Sequence, residues 1–334
     1  MWRLLGQLNK NLLLAIPAMM VAGFVFGLAT EPAFLKSLIL PFTFLMVYPM
    51  MVTLKIREIF STGDMRAQGL ALLINFAIIP FIALGLGIVL LGDHPYLLLG
   101  LLLAALVPTS GMTISWTGFA KGNLAAAVKM TVFGLILGSL VTPLYLNLLL
   151  GARVPLDLGL VFRQIALVVF LPMAAGYVTQ QFLLRRYGRD GFAQLSPRFP
   201  PLSTLGVLGI VFIAMALKAQ GLAADPQQLL RLIFPLILLY ASNYFISTIV
   251  GRLLLPRGDA IALVYGTVMR NLSIALAIAM TAFGAAGSDA ALIIALAFII
   301  QVQSAAWYVR FTDRIFGSAA TPCPHKVIHD STST

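Results

Sequence analysis

The sequence predicts an all-α membrane protein: ten transmembrane helices in two inverted five-helix repeats, with the fourth and ninth spans broken and crossing. Three observations predict it. First, 60% of the residues are hydrophobic and 10% charged, with a mean hydropathy of +0.99, whereas a soluble domain carries about a quarter charged residues. Second, the apolar residues fall into ten runs, each long enough to cross as a helix that satisfies its own backbone in lipid. Third, two of those runs are interrupted near their middles at corresponding places, by Pro108-Thr109-Ser110-Gly111 and by Met269-Arg270-Asn271.

Span one, about Asn11–Ala29, follows the basic segment Met1–Lys10 with no small-residue cleavage site, so it reads as a membrane helix and not a removed signal. Span two is about Leu35–Leu54, and its Met50-Met51 pair, like Met19-Met20 in span one, reads as packing. Span three, about Gln68–Leu91, ends at the turn Gly92-Asp93-His94-Pro95. Span four is about Leu97–Ala120 and span five about Leu124–Leu150, closed by Gly151-Ala152-Arg153-Val154-Pro155. Span six, about Leu158–Leu184, leads through the long connection Arg185–Pro201 to span seven, about Leu202–Gln220. Spans eight to ten are about Gln228–Gly251, Ala260–Phe283 and Asp289–Arg310. The repeats are therefore 1–157 and 158–317, and 318–334 is expected to be a disordered tail.

Orientation follows from lysine and arginine. One side receives sixteen of the 22 basic residues, the Arg185–Pro201 connection among them, and the other receives five: Lys36, Arg153, Arg163, Lys218 and Arg231. Both termini are expected in the cytoplasm, with the chain in the plasma (inner) membrane. Span four then runs inward and span nine outward. An internal echo agrees: Ala22-Gly23-Phe24-Val25 in span one returns as Ala175-Gly176-Tyr177-Val178 in span six, each shortly after a proline, Pro17 and Pro172. An odd number of spans per repeat forces opposite topologies, and paired interrupted helices in such halves mark the binding site of secondary transporters.

The net charge of +11 would suit nucleic acid, yet the basic residues lie in short loops and form no aromatic-basic surface, which excludes that class. The polar end Cys323, His325 and His329 offers loose metal ligands or a plain solvated tail. No nucleophile-base pair or cofactor motif appears, so no enzyme and no cofactor is expected. A membrane sensor or scaffold would need an appended signalling segment. None of the 11 acidic residues lies in the interior of a span, which removes the usual proton relay and the usual anionic sodium ligand.

The interior instead holds hydroxyls, amides and one cation. The break in span four offers Thr109, Ser110, Gly111 and Thr113, with Ser115 beyond. Pro108 and Gly111 loosen the backbone there, so carbonyls near 104–107 and amides near 110–113 are expected to face a cavity; a plain proline kink is the blander reading. Arg270 lies about ten residues from either end of its span, or ~15 Å, at the midplane of a ~30 Å hydrocarbon layer. A guanidinium at that depth costs roughly 3 kcal/mol, so it faces either a cavity or a partner. One reading makes it a strut on neighbouring carbonyls. The other makes it, with Asn271, Ser273 and the positive ends of the half-helices starting near Ser110 and Asn271, an anion site. Gln301 and Gln303 of span ten are further candidates, while Lys129 and Lys218 near span ends are expected to snorkel.

At these residues the chain resembles the bile acid:sodium symporter superfamily, which also holds the arsenite efflux permeases of arsenical resistance. The resemblance spans about Asn11 to Gly317, and its carriers are Pro108 through Ala120-Lys121-Gly122-Asn123 and Met269-Arg270-Asn271 with Leu276-Ala277-Ile278-Ala279. It implies a panel domain, a core domain, and crossing helices at the substrate site. The superfamily's sodium ligands would fall at Thr113, Ile114, Thr131, Gly266 and Arg270, of which Thr113 and Thr131 retain ligating groups as a residual ion site. Arginine in that shell would repel sodium. Compared with the arsenite permeases, Pro108 and Trp116 align, but the motif cysteine is Thr109 and the span-nine carboxylate is Ser273. The expected function is a secondary carrier for a small anionic or oxyanionic solute, with a proton or sodium as the candidate coupling ion; arsenical efflux and sodium-coupled organic-anion symport are the alternatives.

The charge bias yields the first test. Cysteine placed at Arg189 should be protected from an external membrane-impermeant thiol reagent, and cysteine placed at Arg153 should be modified; the reverse pattern would invert the topology.

Overall fold

The computed structural model describes residues 11–317, apart from 55–64, 93, 108, 152–153, 155–156, 225–226 and 285. Expectations for Met1–Lys10, Pro108, Arg153 and the tail with Cys323, His325 and His329 lie outside the described residues.

All regular structure among the described residues is helical. The helices are α1 (Leu12–Ala29), α2 (Pro32–Val52, its first turns 3-10), α3 (Met65–Leu91), α4 (Pro95–Leu106), α5 (Gly111–Phe119) and α6 (Leu124–Leu150). Then come α7 (Leu158–Ile165, continuing through a π turn into Leu171–Leu195), α8 (Phe199–Ala224), α9 (Gln227–Leu254), α10 (Arg257–Val268), α11 (Leu272–Ala282) and α12 (Gly287–Phe316). Seven of the described helical stretches are long and apolar enough to cross a membrane, eight with the α4–α5 pair, which bends by 58°. One of these, Leu158–Ala224, is 67 residues long and holds both α7 and α8; α1 offers a shorter apolar run, Leu14–Ala29. Large apolar side chains such as Val89, Leu148 and Phe245 are 79%, 73% and 66% exposed, the surface of a multi-pass membrane protein.

Prolines shape two of the helices. α3 carries a π turn at Ile74–Ile78 just before Pro80, and α7 carries one at Ala166–Phe170 just before Pro172. Proline has no N–H for the carbonyl four residues back, and the ladder widens to absorb the loss. At Pro80 the orphaned Phe76 carbonyl accepts from the Tyr145 hydroxyl of α6 at 2.5 Å.

The helices sort into two groups by contact. α8 packs most extensively on α1 and α2, and α7 packs on α2; α3 to α6 and α9 to α12 pack mainly on one another. Within the first group, backbones approach closely at glycines. A Cβ on Gly23 of α1 would strike the Phe212 carbonyl of α8, one on Gly176 of α7 would strike the Met51 backbone of α2, and one on Gly206 of α8 would strike the Met46 backbone of α2. The echoed Gly23 and Gly176 thus do the same work against two different helices. Gln180 of α7 also donates to the Val52 and Leu54 carbonyls, 2.9 and 3.2 Å away, which the end of α2 leaves without helical partners.

The Arg185–Pro201 connection is not the loop the sequence suggests. α7 continues to Leu195, turning at Gly188 (φ 69°), and a 3-10 turn at Ser196–Arg198 joins it to α8. Its charged residues are ordinary helix formers, and only the glycine breaks the direction.

Gly206→Val should lower the thermal midpoint in detergent by the equivalent of about 1–3 kcal/mol, the usual cost of overpacking. Gly85→Ala, where nothing lies within 4 Å of the new methyl, should leave the midpoint unchanged or raise it.

Candidate functional site

The two interruptions meet. α4 ends at Val107 (φ −89°, ψ 87°) and α10 ends at Met269 (φ −77°, ψ 86°), nearly the same local geometry. The Ser110 N–H donates to the Met269 carbonyl at 3.1 Å, and the Asn271 N–H donates to the Val107 carbonyl at 2.9 Å, an antiparallel pairing between the breaks. Expectation placed carbonyls near 104–107 and amides near 110–113 toward a cavity; the structure spends part of that set on the partner break. Far from water, an unpaired peptide group costs several kcal/mol, so the two breaks supply each other. The carbonyls that α10 orphans at its end are also capped, Gly266 by the Asn75 side-chain amide at 3.0 Å and Thr267 by that of Asn243 at 2.9 Å.

Thr109 sits at φ 55°, a left-handed conformation that a β-branched residue rarely adopts. Its hydroxyl donates to the Thr131 carbonyl at 3.2 Å, and its side chain fills the space that Gly134 of α6 leaves by lacking a Cβ. The new helices are capped from within: Ser110 Oγ accepts from the Met112 N–H and Asn271 Oδ1 from the Ile274 N–H. These caps use part of each positive helix end, so the guanidinium becomes the dominant donor.

Gln301 of α12 holds the Arg270 peptide from both sides. Its Oε1 accepts from the Arg270 N–H at 2.8 Å, its Nε2 donates to the Arg270 carbonyl at 3.2 Å, and the Tyr240 hydroxyl of α9 donates to the same Oε1 at 2.9 Å. The side chain of Arg270 is used in none of this. Arg270 is 2% exposed, and neither of its terminal guanidinium nitrogens has a hydrogen-bond partner among the described residues; nor does the Asn271 Nδ2.

Both residues line a cavity of about 380 Å³. Among the expected site residues, Ser110, Gly111, Ser115, Thr131, Arg270, Asn271, Ser273 and Gln301 line it. Thr109 and Thr113 are buried away from the lining, the Thr113 hydroxyl donating to the Tyr265 carbonyl at 3.3 Å, and Gln303 is half-buried outside the lining. The opposite wall comes from the other helix group: Met50, Thr53 and Leu54 at the end of α2, and Pro200, Ser203, Thr204 and Val207 at the start of α8. The cavity therefore reaches from the breaks to the end of α2 and the start of α8, next to the Arg185–Pro201 segment. At the opposite end, Lys218 of α8 pairs with Asp289 of α12 at 2.8 Å across the two groups. Lys129, expected to snorkel, is instead only 4% exposed inside the bundle.

In the residual ion site the Thr113 and Thr131 hydroxyls both donate to backbone carbonyls, Thr131 to Ala127 at 2.8 Å. A side chain at 266 would meet the Met130 sulfur, which fills that space. Sequence reasoning missed Tyr240, Asn75, Asn243 and Gly134. None of the four carries a charge or marks a break of its own in the sequence, and only the fold shows that they face the breaks.

The Ala120-Lys121-Gly122-Asn123 motif is a structural turn between α5 and α6. Asn123 Oδ1 caps the Ala125 and Ala126 amides while its Nδ2 donates to Asp259 at 2.7 Å. Arg257 donates to the Lys121 and Ala120 carbonyls at 2.9 and 3.4 Å and pairs with Asp313 at 2.5 Å.

Comparison with known proteins matches residues 40–225 to the family described as the Sodium Bile acid symporter family. Similar relatives include the uncharacterized protein YbaS of Bacillus subtilis, 24% identical over 64% of this chain and 69% of its own length. The arsenical-resistance protein Acr3 of Corynebacterium glutamicum is 22% identical over 68% of this chain and 65% of its own. Sodium/bile acid cotransporter 7 of Xenopus tropicalis is 31% identical over 36% of this chain and 34% of its own. The aligned part thus spans about two thirds of the first two relatives and a third of the last.

The Gln301 clamp generates a test. Gln301→Leu leaves the Arg270 carbonyl and the Tyr240 hydroxyl without their partner, at about 1–3 kcal/mol for each orphaned buried group. Its thermal midpoint in detergent should fall accordingly, while that of Gln303→Leu should hardly move.

Proposed function

We infer that this chain, which belongs to the Sodium Bile acid symporter family, carries a small anionic solute across the membrane by alternating access. Membership makes it a membrane transporter and not an enzyme. The finer reading is ours: ten spans in two inverted repeats, both termini in the cytoplasm of a plasma membrane, and a solute site at the paired breaks. One observation carries it. A guanidinium with both terminal nitrogens unpaired, 2% exposed, lines a cavity beside the unpaired amide of Asn271. Buried charges are normally paired, and a planar fork of donors with no acceptor fits a carboxylate or another oxyanion.

The symmetry of Val107 with Met269, and of Gly23 with Gly176, supports the inverted repeat. The cavity's reach toward the start of α8, with the Lys218–Asp289 pair joining the two groups at the other end, supports an inward-facing state. Arsenical handling in the manner of the relative's name is less well supported. Thr109 stands where the arsenite permeases carry a cysteine, and its side chain is turned away from the cavity. Sodium coupling is also less well supported, because Arg270 would repel the ion and Met130 fills the space beside Gly266.

Arg270→Gln should insert and fold at least as well as the parent, because the break is held without the guanidinium, yet lose most transport in proteoliposomes. Arg270→Lys should recover only part, since a point charge lacks the planar fork. Replacing sodium by potassium should leave the parent rate unchanged. An Arg270→Gln protein that fails to fold, or that folds and transports normally, would return the arginine to the role of a strut.

A further inference from the structure

We infer that the carrier works as an anion exchanger: it crosses between its two faces readily with an anion on Arg270 and poorly when empty. This rests on the reading of Arg270 as the solute site. The guanidinium cannot shed its proton and cannot leave the midplane. Its peptide is gripped by Gln301 and flanked by the Met269–Ser110 and Val107–Asn271 pairings, so it moves with the helices of its own group. No acidic residue lies in the interior of a span to serve as an internal counter-charge. Of the described acids, Asp259, Asp289 and Asp313 sit near helix ends and are engaged with Asn123, Lys218 and Arg257.

In the present conformation the cavity that Arg270 lines reaches the ends of α2 and α8. To reach the other face, the site must pass through a state closed on both sides. Among the described residues, the wall that closes over it offers Met50, Leu54 and Val207 together with hydroxyls, and no negative charge. Closure on an empty site strands a bare cation against that wall. Closure on a bound anion encloses a pair. The unloaded return is therefore the slow step, and an anion waiting on the far side removes it. An electrically neutral carrier site would show no such asymmetry.

The test uses the full-length protein. A thermal-shift screen against pyruvate, 2-oxoisovalerate, malate, phosphate and arsenate identifies the anion that stabilises the parent but not Arg270→Gln. That anion, radiolabelled, is loaded into proteoliposomes in chloride-free gluconate medium, and its efflux is followed with and without the unlabelled anion outside. The anion outside should speed efflux by about a hundredfold, the factor that corresponds to the insertion cost of one arginine. For a monoanion, that exchange should ignore a potassium–valinomycin potential. If chloride outside substitutes for the unlabelled anion, exchange stands with chloride as the counter-anion. Acceleration below about threefold, with Arg270-dependent binding intact, overturns the exchange inference alone. If no anion of the panel binds in an Arg270-dependent way, the solute site itself fails and exchange fails with it.

Discussion

Everything in this molecule answers to one constraint: hydrocarbon offers no hydrogen bonds to a peptide group that has lost its helical partner. A helix broken at the midplane exposes several such groups where they cost most. Here each break pairs with the other, through Ser110 with Met269 and Asn271 with Val107. The carbonyls left at the end of α10 are met by Asn75 and Asn243 from two flanking helices. The π turn at Ile74–Ile78 belongs to the same accounting, since Asn75 lies within it and Tyr145 takes the carbonyl that Pro80 abandons. Irregular backbone survives at this depth because it is enclosed by protein that was built to receive it.

Against that paired backbone the guanidinium stands out. The break is held by backbone pairs, by Gln301 and by side-chain caps, none of which uses the Arg270 side chain. A strut would be spent on carbonyls; this arginine keeps both terminal nitrogens unspent beside a cavity. The two helix groups divide the labour. Glycine contacts lock α1, α2, α7 and α8 into a close-packed wall, while the other group carries the breaks and the charge. The cavity lies on the seam between them, where a relative movement would open one end and close the other.

Much of this was legible in the sequence because hydropathy and charge are strong signals. The apolar runs, the basic bias and the two interruptions all follow from the cost of polar groups in lipid. Arg270, Asn271, Ser110, Ser115, Ser273 and Gln301 were readable as polar residues in the wrong solvent, and all of them line the cavity. Other features were not readable. Nothing in the local pattern says that Thr109 turns toward Thr131 and Gly134, or that Gln301 would grip a peptide while lining the cavity, because both depend on which helix comes to lie opposite. Nor could composition separate the Arg185–Pro201 segment into helix and turn: its charge announces an interface with water, and water is compatible with either.

The clamp at Gln301 has a consequence for how such a protein can change over generations. It recognises the peptide at position 270, whose N–H and C=O are the same for every residue except proline. The architecture of the break is thus indifferent to the side chain displayed there. A lineage can substitute that side chain, and with it the sign of the charge beside the cavity, without first rebuilding the scaffold. Chemistry and framework are inherited separately at this point, which is the condition under which one fold diversifies its cargo.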